Sequence, residues 1–335
     1  MRPPAVRTAL TALSAVTALL ALTACAKTGA TASAGSGGRI TVRIPDPGNS
    51  GILAKGKKDG SLARALAKAG AGVSWTGSSG PFAPAAQAMN AGRLDVALGS
   101  ITSGTTALNQ QPKFSFFAAG APENGGEGIL VKKDSGIKGI AGLAGRKVAV
   151  NQGGTGEYLL LKALSKAGVK PSAVHRVYLR PDQTAGAFAS GQVDAWATWS
   201  AYSVAALGGG TAEFLADGSA IGSENYTVWA VRDGFADKNP GVVKALYSYL
   251  HTQSLAQHDH PEEYVNVFTD AGPTAVTGGA RNVQLSLTRT GAPVEPIGAE
   301  QTAHFDHVAS FFAAQGITKQ PARAAGHVID VEKLR

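Results

Sequence analysis

Between residues 39 and 231, short apolar runs of strand type alternate with segments of helical period, and this alternation restricts the chain to one fold class. Strands are expected at 39–44 (RITVRI), 73–75, 94–98, 114–119, 128–131, 147–150, 174–179, 193–197 and 226–231. Helices are expected at 51–68, 82–91, 102–110, 154–167 and 183–190. Gly56 and Gly60 weaken the first helix, and Pro81 starts the second. From 239 onward the pattern is mostly helical, with 249–257 and 261–269 inside it. Such alternation builds βαβ units, that is, an α/β protein of mixed sheets with helices on both faces. One echo sharpens this. Ala91-Gly92-Arg93-Leu94-Asp95-Val96-Ala97 returns 99 residues later as Ser190-Gly191-Gln192-Val193-Asp194-Ala195-Trp196. Each copy reads as a helix end, a glycine C-cap, a polar link and a buried strand, so two lobes of one design are expected. In such sheets ligands bind where loops leave the carboxyl ends of strands.

The N-terminus sets the compartment. Arg2 and Arg7 precede an uncharged Ala/Leu-rich stretch, 9–22, which is too short to span a bilayer and reads as a signal-peptide core. It runs into Leu22-Thr23-Ala24-Cys25, which resembles a bacterial lipobox: residues 1–24 would be a lipoprotein signal peptide and Cys25, the sole cysteine, the lipidated new N-terminus. The plainer alternative is a cut after Ala24 that leaves Cys25 a stray thiol. Residues 25–38 are small and polar and read as a flexible tether. No disulfide is possible within one chain. The formal charge of +8 falls to +6 once Arg2 and Arg7 are removed, and no Lys/Arg block of five occurs, which argues against a nucleic-acid partner.

The loops that follow strands supply the candidate ligand contacts. Asn151-Gln152-Gly153-Gly154-Thr155-Gly156 joins a strand to a helix, and backbone N–H groups of Gly153, Gly154, Thr155 and Gly156 could approach an anion there; the alternative is a plain tight turn. A dinucleotide fingerprint is not completed, because Leu159 stands where the third glycine is required. Ser100 and Thr102 leave the 94–98 strand, and Asn49-Ser50-Gly51 and Ser79-Gly80 occupy the loops after the first two strands; for each, helix capping competes with ligand contact. Trp196 and Trp199 would form an apolar cleft wall, or sit in the core. Arg180 would pair with an anion, or lie on the surface. Catalysis is not expected: there is no G-x-S-x-G, no H-E-x-x-H and no cysteine pair. His258/His260 and His304/His307 read as solvated helix ends rather than metal ligands, and no cofactor is expected.

The run DPGNSGILAKGKK at 46–58, Val73-Ser74-Trp75-Thr76 and Gly80-Pro81 resemble the opening of aliphatic-sulfonate, taurine and nitrate binding proteins of ABC importers. The likeness continues through AGRLD at 91–95, GEGILV at 126–131, LAGRKVAV at 143–150, YLLLKAL at 158–164 and VDAWATW at 193–199, and covers roughly residues 39–250. It implies a two-lobe periplasmic-binding-protein fold of type II, with a first lobe of 39–127 plus 231–335, a second lobe of 128–230, and hinge crossovers near 126–130 and 226–231. The helices after about Asp270 are expected to pack on the first lobe. The resemblance also implies a small anionic or zwitterionic solute, with a taurine-like sulfonate favoured, and an ABC permease with its ATPase as partners of a monomeric carrier. Glu157 stands where sulfonate binders of this group often carry a histidine, and its charge would repel a sulfonate unless it points away or the solute is also cationic. A pyrimidine-synthase relative of the fold depends on Cys and His residues that this chain lacks. Two alternatives stay open: the same fold with a thiamine-precursor pyrimidine or other aromatic heterocycle stacked on Trp196 and Trp199, or a lipid-anchored sensor or adhesion module without a solute.

Overall fold

The computed structural model describes residues 39–121 and 124–335; the expected signal peptide, Cys25 and the tether lie outside the described residues. The chain runs β1 (Ile40–Asp46), α1 (Ile52–Asp59), α2 (Ser61–Lys68), β2 (Ala71–Ser78), α3 (Phe82–Asn90), β3 (Val96–Ser100), α4 (Ile101–Leu108) and β4 (Phe114–Ala119). It continues with β5 (Glu127–Lys132), β6 (Lys147–Val150), α5 (Thr155–Lys166), β7 (His175–Tyr178), α6 (Pro181–Ala189), β8 (Ala195–Trp199), α7 (Ser200–Gly208), β9 (Ala212–Asp217) and α8 (Gly218–Ile221). It ends with β10 (Thr227–Arg232), α9 (Asp233–Ala236), α10 (Pro240–Asp259), α11 (Gly278–Thr290) and α12 (Ala299–Ala314). The single helix expected over 51–68 is split at Gly60, whose φ of 72° is left-handed and turns α1 into α2.

The strands form two sets. In the first, β1 pairs with β2 in parallel, and β3, β10 and β4 form an antiparallel ribbon in that order. A reciprocal pair of bonds joins β1 to the end of the loop before β3: the Asp95 N–H donates to the Arg43 carbonyl at 3.0 Å, and the Asp95 carboxylate accepts the Arg43 N–H at 3.0 Å. The sequence along this layer is therefore β2-β1-β3-β10-β4. The second sheet is β7-β6-β8-β5-β9. It is joined at the matching point by the same device, with Asp194 N–H to the Lys147 carbonyl and Lys147 N–H to the Asp194 carboxylate, both at 2.8 Å. The repeated heptapeptide thus marks the same junction in both halves. In each sheet the one strand that arrives by a crossover is antiparallel: β5 between β8 and β9, and β10 between β3 and β4.

This topology moves one expected boundary. The residues at 227–230, assigned from sequence to the second lobe, lie inside β10, between β3 and β4, so the strand itself belongs with the first set and the chain returns before Thr227. The C-terminal helices also differ from expectation, because they do not pack on the first lobe alone. Helix α12 places Phe305 against Phe116 of β4, with ring centroids 5.0 Å apart, but it also sets Phe311 and Phe312 against Tyr158 of α5, at 5.7 and 6.1 Å. Helix α11 packs on α7 of the second lobe at a glycine contact: a Cβ on Gly208 would stand 2.3 Å from the Ala280 nitrogen. The helix expected at 261–269 is only a single 3-10 turn, Pro261–Tyr264, followed by irregular chain.

Candidate functional site

The first helix of the site, α4, starts immediately after β3. Ser100 caps it, accepting the Ser103 N–H, while the Ser103 hydroxyl accepts the Ser100 N–H in a capping box. From the second sheet, α5 starts after β6 and the Asn151–Gly154 turn, and its first residue is Thr155. The two starts meet. The Thr155 hydroxyl lies 3.2 Å from the Ser100 hydroxyl and 2.9 Å from that of Thr102, and Thr102 donates to the Asn225 side chain at 3.0 Å. Thr106, one turn further along α4, donates to the Gly153 carbonyl at 2.6 Å. Two helix N-termini from different sheets thus converge on one cluster of hydroxyls, where each brings a partial positive charge. Helix α7 begins without a capping side chain, and its first residue, Ser200, has a left-handed φ of 48°.

The glycine turn corrects one expectation. The Gly153 N–H donates to the Glu157 carboxylate at 2.8 Å, the Gly156 N–H to the Asn151 side chain at 2.8 Å, and the Gly154 N–H to the Asn151 carbonyl at 3.3 Å. These three amides stabilise the turn instead of offering themselves to an anion. The Thr155 N–H has no such partner among the described residues. Glycine at 156 is needed for packing, since a Cβ there would stand 2.4 Å from the Ala197 carbonyl on β8.

Glu157 points away from the hydroxyl cluster. Its side chain is fully buried and accepts from Arg176 at 2.8 Å and from the Tyr178 hydroxyl at 2.7 Å, both on β7. The guanidinium compensates its charge, which removes the repulsion expected of it. Burial, together with the bond to Glu157, pushes the Tyr178 phenol up, so it remains a proton donor.

Asn49 is a second correction. Its amide donates to the carbonyls of Thr269 and Thr274, at 2.8 and 3.0 Å, and its oxygen accepts the N–H groups of Phe268 and Thr269, at 2.8 and 3.1 Å. Ser50 receives the Asn266 N–H at 3.4 Å and Gly51 donates to the Tyr264 carbonyl at 2.7 Å, so this loop anchors the 264–276 segment instead of facing a solute. Asn49→Ala is expected to lower folding stability by about 1–2 kcal/mol, by removing the partner of four backbone groups of Phe268, Thr269 and Thr274, which only partly regain water. Hydrogen exchange should then rise selectively over 266–276, and unchanged protection there would refute the assignment.

The remaining expected residues scatter. Ser79 and Gly80 are exposed beyond β2. Arg180 is on the surface, paired with Asp182 at 3.0 Å with its side chain 71% exposed. Trp196 does not wall the cleft: it is buried in the second-lobe core against Phe188, ring centroids 6.1 Å apart. Trp199 stands half-buried at the carboxyl end of β8, edge-on to Tyr202 at 5.6 Å. The sequence reading missed Asn225 and Thr106, which carry no motif, and also Leu98, which is 46% exposed two residues before Ser100 and offers an apolar surface beside the hydroxyls. Among the described residues no group of three His, Cys, Asp or Glu side chains could hold a metal ion.

Comparison with known proteins agrees with this architecture. The family described as NMT1/THI5 like matches residues 78–264. A protein of Escherichia coli (strain K12) described as an aliphatic sulfonates-binding protein is 31% identical over 226 residues, covering 64% of this chain and 68% of the relative. The taurine-binding periplasmic protein of the same organism is 34% identical over 157 residues, covering 45% of this chain and 48% of its own length. The solved alkanesulfonate-binding protein from Xanthomonas axonopodis pv. citri, bound to MOPS, shares the fold with a TM-score of 0.76 at 22% identity, covering 87% of this chain and 98% of that one. The match spans more than half of the chain and runs through both sheets, and on that extent the protein belongs to the NMT1/THI5-like family.

Proposed function

We propose that this protein is an extracytoplasmic solute-binding lipoprotein, anchored through Cys25, that delivers a small sulfonate, anionic or zwitterionic, to an ABC permease without chemical change. The observation that carries the reading is the meeting of Ser100 and Thr102 from α4 with Thr155 from α5, within 2.9–3.2 Å across the two halves. In the present conformation these hydroxyls satisfy one another. A sulfonate can take the protons that Ser100 and Thr155 now spend within the cluster, each charge-assisted bond worth on the order of 1.5–3 kcal/mol, while Thr102 keeps its bond to Asn225 and the Thr155 N–H adds a backbone donor. Leu98 supplies contact for an alkyl chain, and Glu157, neutralised by Arg176, does not oppose the anion. The ligands for which the relatives are named, aliphatic sulfonates and taurine, have this chemistry. Because the cluster bridges two halves linked by two crossovers, a solute seated there would hold them together, the shape change a permease can sense.

The test is a thermal-shift series with taurine, an alkanesulfonate series, nitrate and thiamine-precursor pyrimidines. A ligand at a hundred times its Kd should add about 2.7 kcal/mol of stability. We expect that shift with a sulfonate and none with the pyrimidines. A flat response to every sulfonate, or a shift with a pyrimidine alone, would reject the reading.

A further inference from the structure

We propose that the groove between α6 and α7 is a second small-molecule site, for an organic anion with a flat apolar body. The groove encloses about 680 Å3, within the range of small-ligand pockets. None of its lining residues belongs to the hydroxyl cluster, and it reaches the points where β8 and β9 begin and β5 ends. Its wall is aromatic. Trp196 sits between Phe188 and Tyr202, with ring centroids 6.1 and 6.3 Å away. Facing these rings are Ala185 and Ala189 of α6 and Ala205 and Ala206 of α7, where larger side chains would have closed the space. Methyl groups opposite a ring face leave a flat apolar slot, and a dispersion-rich void of this kind gains contacts when a planar molecule fills it.

One end of the slot is cationic. Lys132 is held there by a bond from its ammonium to the Ala189 carbonyl at 2.9 Å. Lys133 lines the same end and makes no ion pair among the described residues, while Asp134 beside it leaves the rim one positive charge in excess. The Tyr202 hydroxyl, also without a hydrogen-bond partner among the described residues, is pushed up by burial and so remains a donor. The arrangement selects an aromatic or similarly flat carboxylate or sulfonate, with its ring along Tyr202 and the alanines, over the buried Trp196, and its charge toward Lys133. A small aliphatic sulfonate, which lacks the apolar body, would not be retained.

The experiment uses the mature protein and 1-anilinonaphthalene-8-sulfonate as the probe, followed by its fluorescence on titration. We expect one saturable site per chain, not displaced by taurine or butanesulfonate. Ala205→Trp, which fills the slot from an exposed position, should weaken the probe at least tenfold. Lys133→Glu, a surface change, should weaken it about fivefold and keeps the proposal testable if Ala205→Trp melts early. Absence of saturable binding, displacement by the small sulfonates, or unchanged affinity in Lys133→Glu would each overturn the assignment. Thr155→Asp, which disables the cleft, should leave the probe's affinity unchanged, so failure of the transport reading and failure of this one are separable.

Discussion

Asp95→Asn is expected to lower folding stability by about 3 kcal/mol, whereas Asp194→Asn, at the equivalent junction of the other half, should cost well under 1 kcal/mol. The contrast comes from burial of the same motif. The Asp95 side chain is 1% exposed and accepts from Arg43 Nε and Nη2, both at 2.7 Å, and from Arg232 Nε and Nη2, at 3.0 and 2.7 Å. It ties β1 and β10 to the start of β3. Asp194 is 35% exposed and reaches Arg146 only at 3.6 Å. Removing a buried partner of two guanidinium groups costs about 3–5 kcal/mol, and the value falls at the lower end here because Arg43 and Arg232 remain 33% and 23% exposed and regain water. The pH dependence follows. Burial raises the Asp95 pKa, but the bonds from Arg43 and Arg232 outweigh it and hold the carboxyl below its usual value. A depressed folded-state pKa contributes stability that is complete above the ordinary Asp range and is lost as pH falls through the folded value. The wild type should therefore lose part of its stability in acid, and Asp95→Asn should not lose that part. Urea titrations of both variants at neutral and acid pH check this, and equal losses in the two variants would refute it.

The junction shows what was legible from the residues. A seven-residue echo is local, and its glycine C-cap, link and aspartate act within one turn and its adjoining strands, so the sequence alone indicated two halves of one design. Strands with largely apolar runs, such as β4 and β6, were equally plain. The stretch 200–222 was not. Helix α7 packs on both the sheet and α11, and β9 is a half-buried edge, so neither shows a clean apolar face. The 261–269 segment has helical spacing, but Asn266 adopts a left-handed φ of 56° and Asn49 pins the chain from 217 residues away, a bond that no local pattern announces. Glu157 is similar: its partners Arg176 and Tyr178 lie on a neighbouring strand, so its direction became clear only from the sheet order. The two tryptophans carried a usable signal. Residues three apart on a strand face opposite sides, so Trp196 and Trp199 could not share one wall.

Thr155→Asp is expected to weaken sulfonate binding about a thousandfold while leaving the fold intact. Thr155 opens α5, and a carboxylate in the first turn of a helix is favourable, which offsets part of the cost of placing a charge at a position only 2% exposed. The Ser100 hydroxyl, 3.2 Å from the present Thr155 oxygen, can donate to the new carboxylate, while Thr102, whose proton goes to Asn225, does not, so one donor holds the side chain in place. It then occupies the position of the solute's anionic head. Two like charges about 4 Å apart at an effective dielectric near 20 repel by about 4 kcal/mol, which corresponds to about three decades in affinity. Thr155→Val removes the hydroxyl without adding charge and should cost only about tenfold, and Thr155→Ser should bind within a fewfold of the parent. Calorimetric titration with the best sulfonate gives all three values. If Thr155→Asp melts like the parent and still binds the sulfonate with parental affinity, the anion does not sit between α4 and α5, and the site must be sought elsewhere in the fold. If the ordering Ser, Val, Asp holds, the loss follows charge at one atom, which a general loosening of the protein would not reproduce.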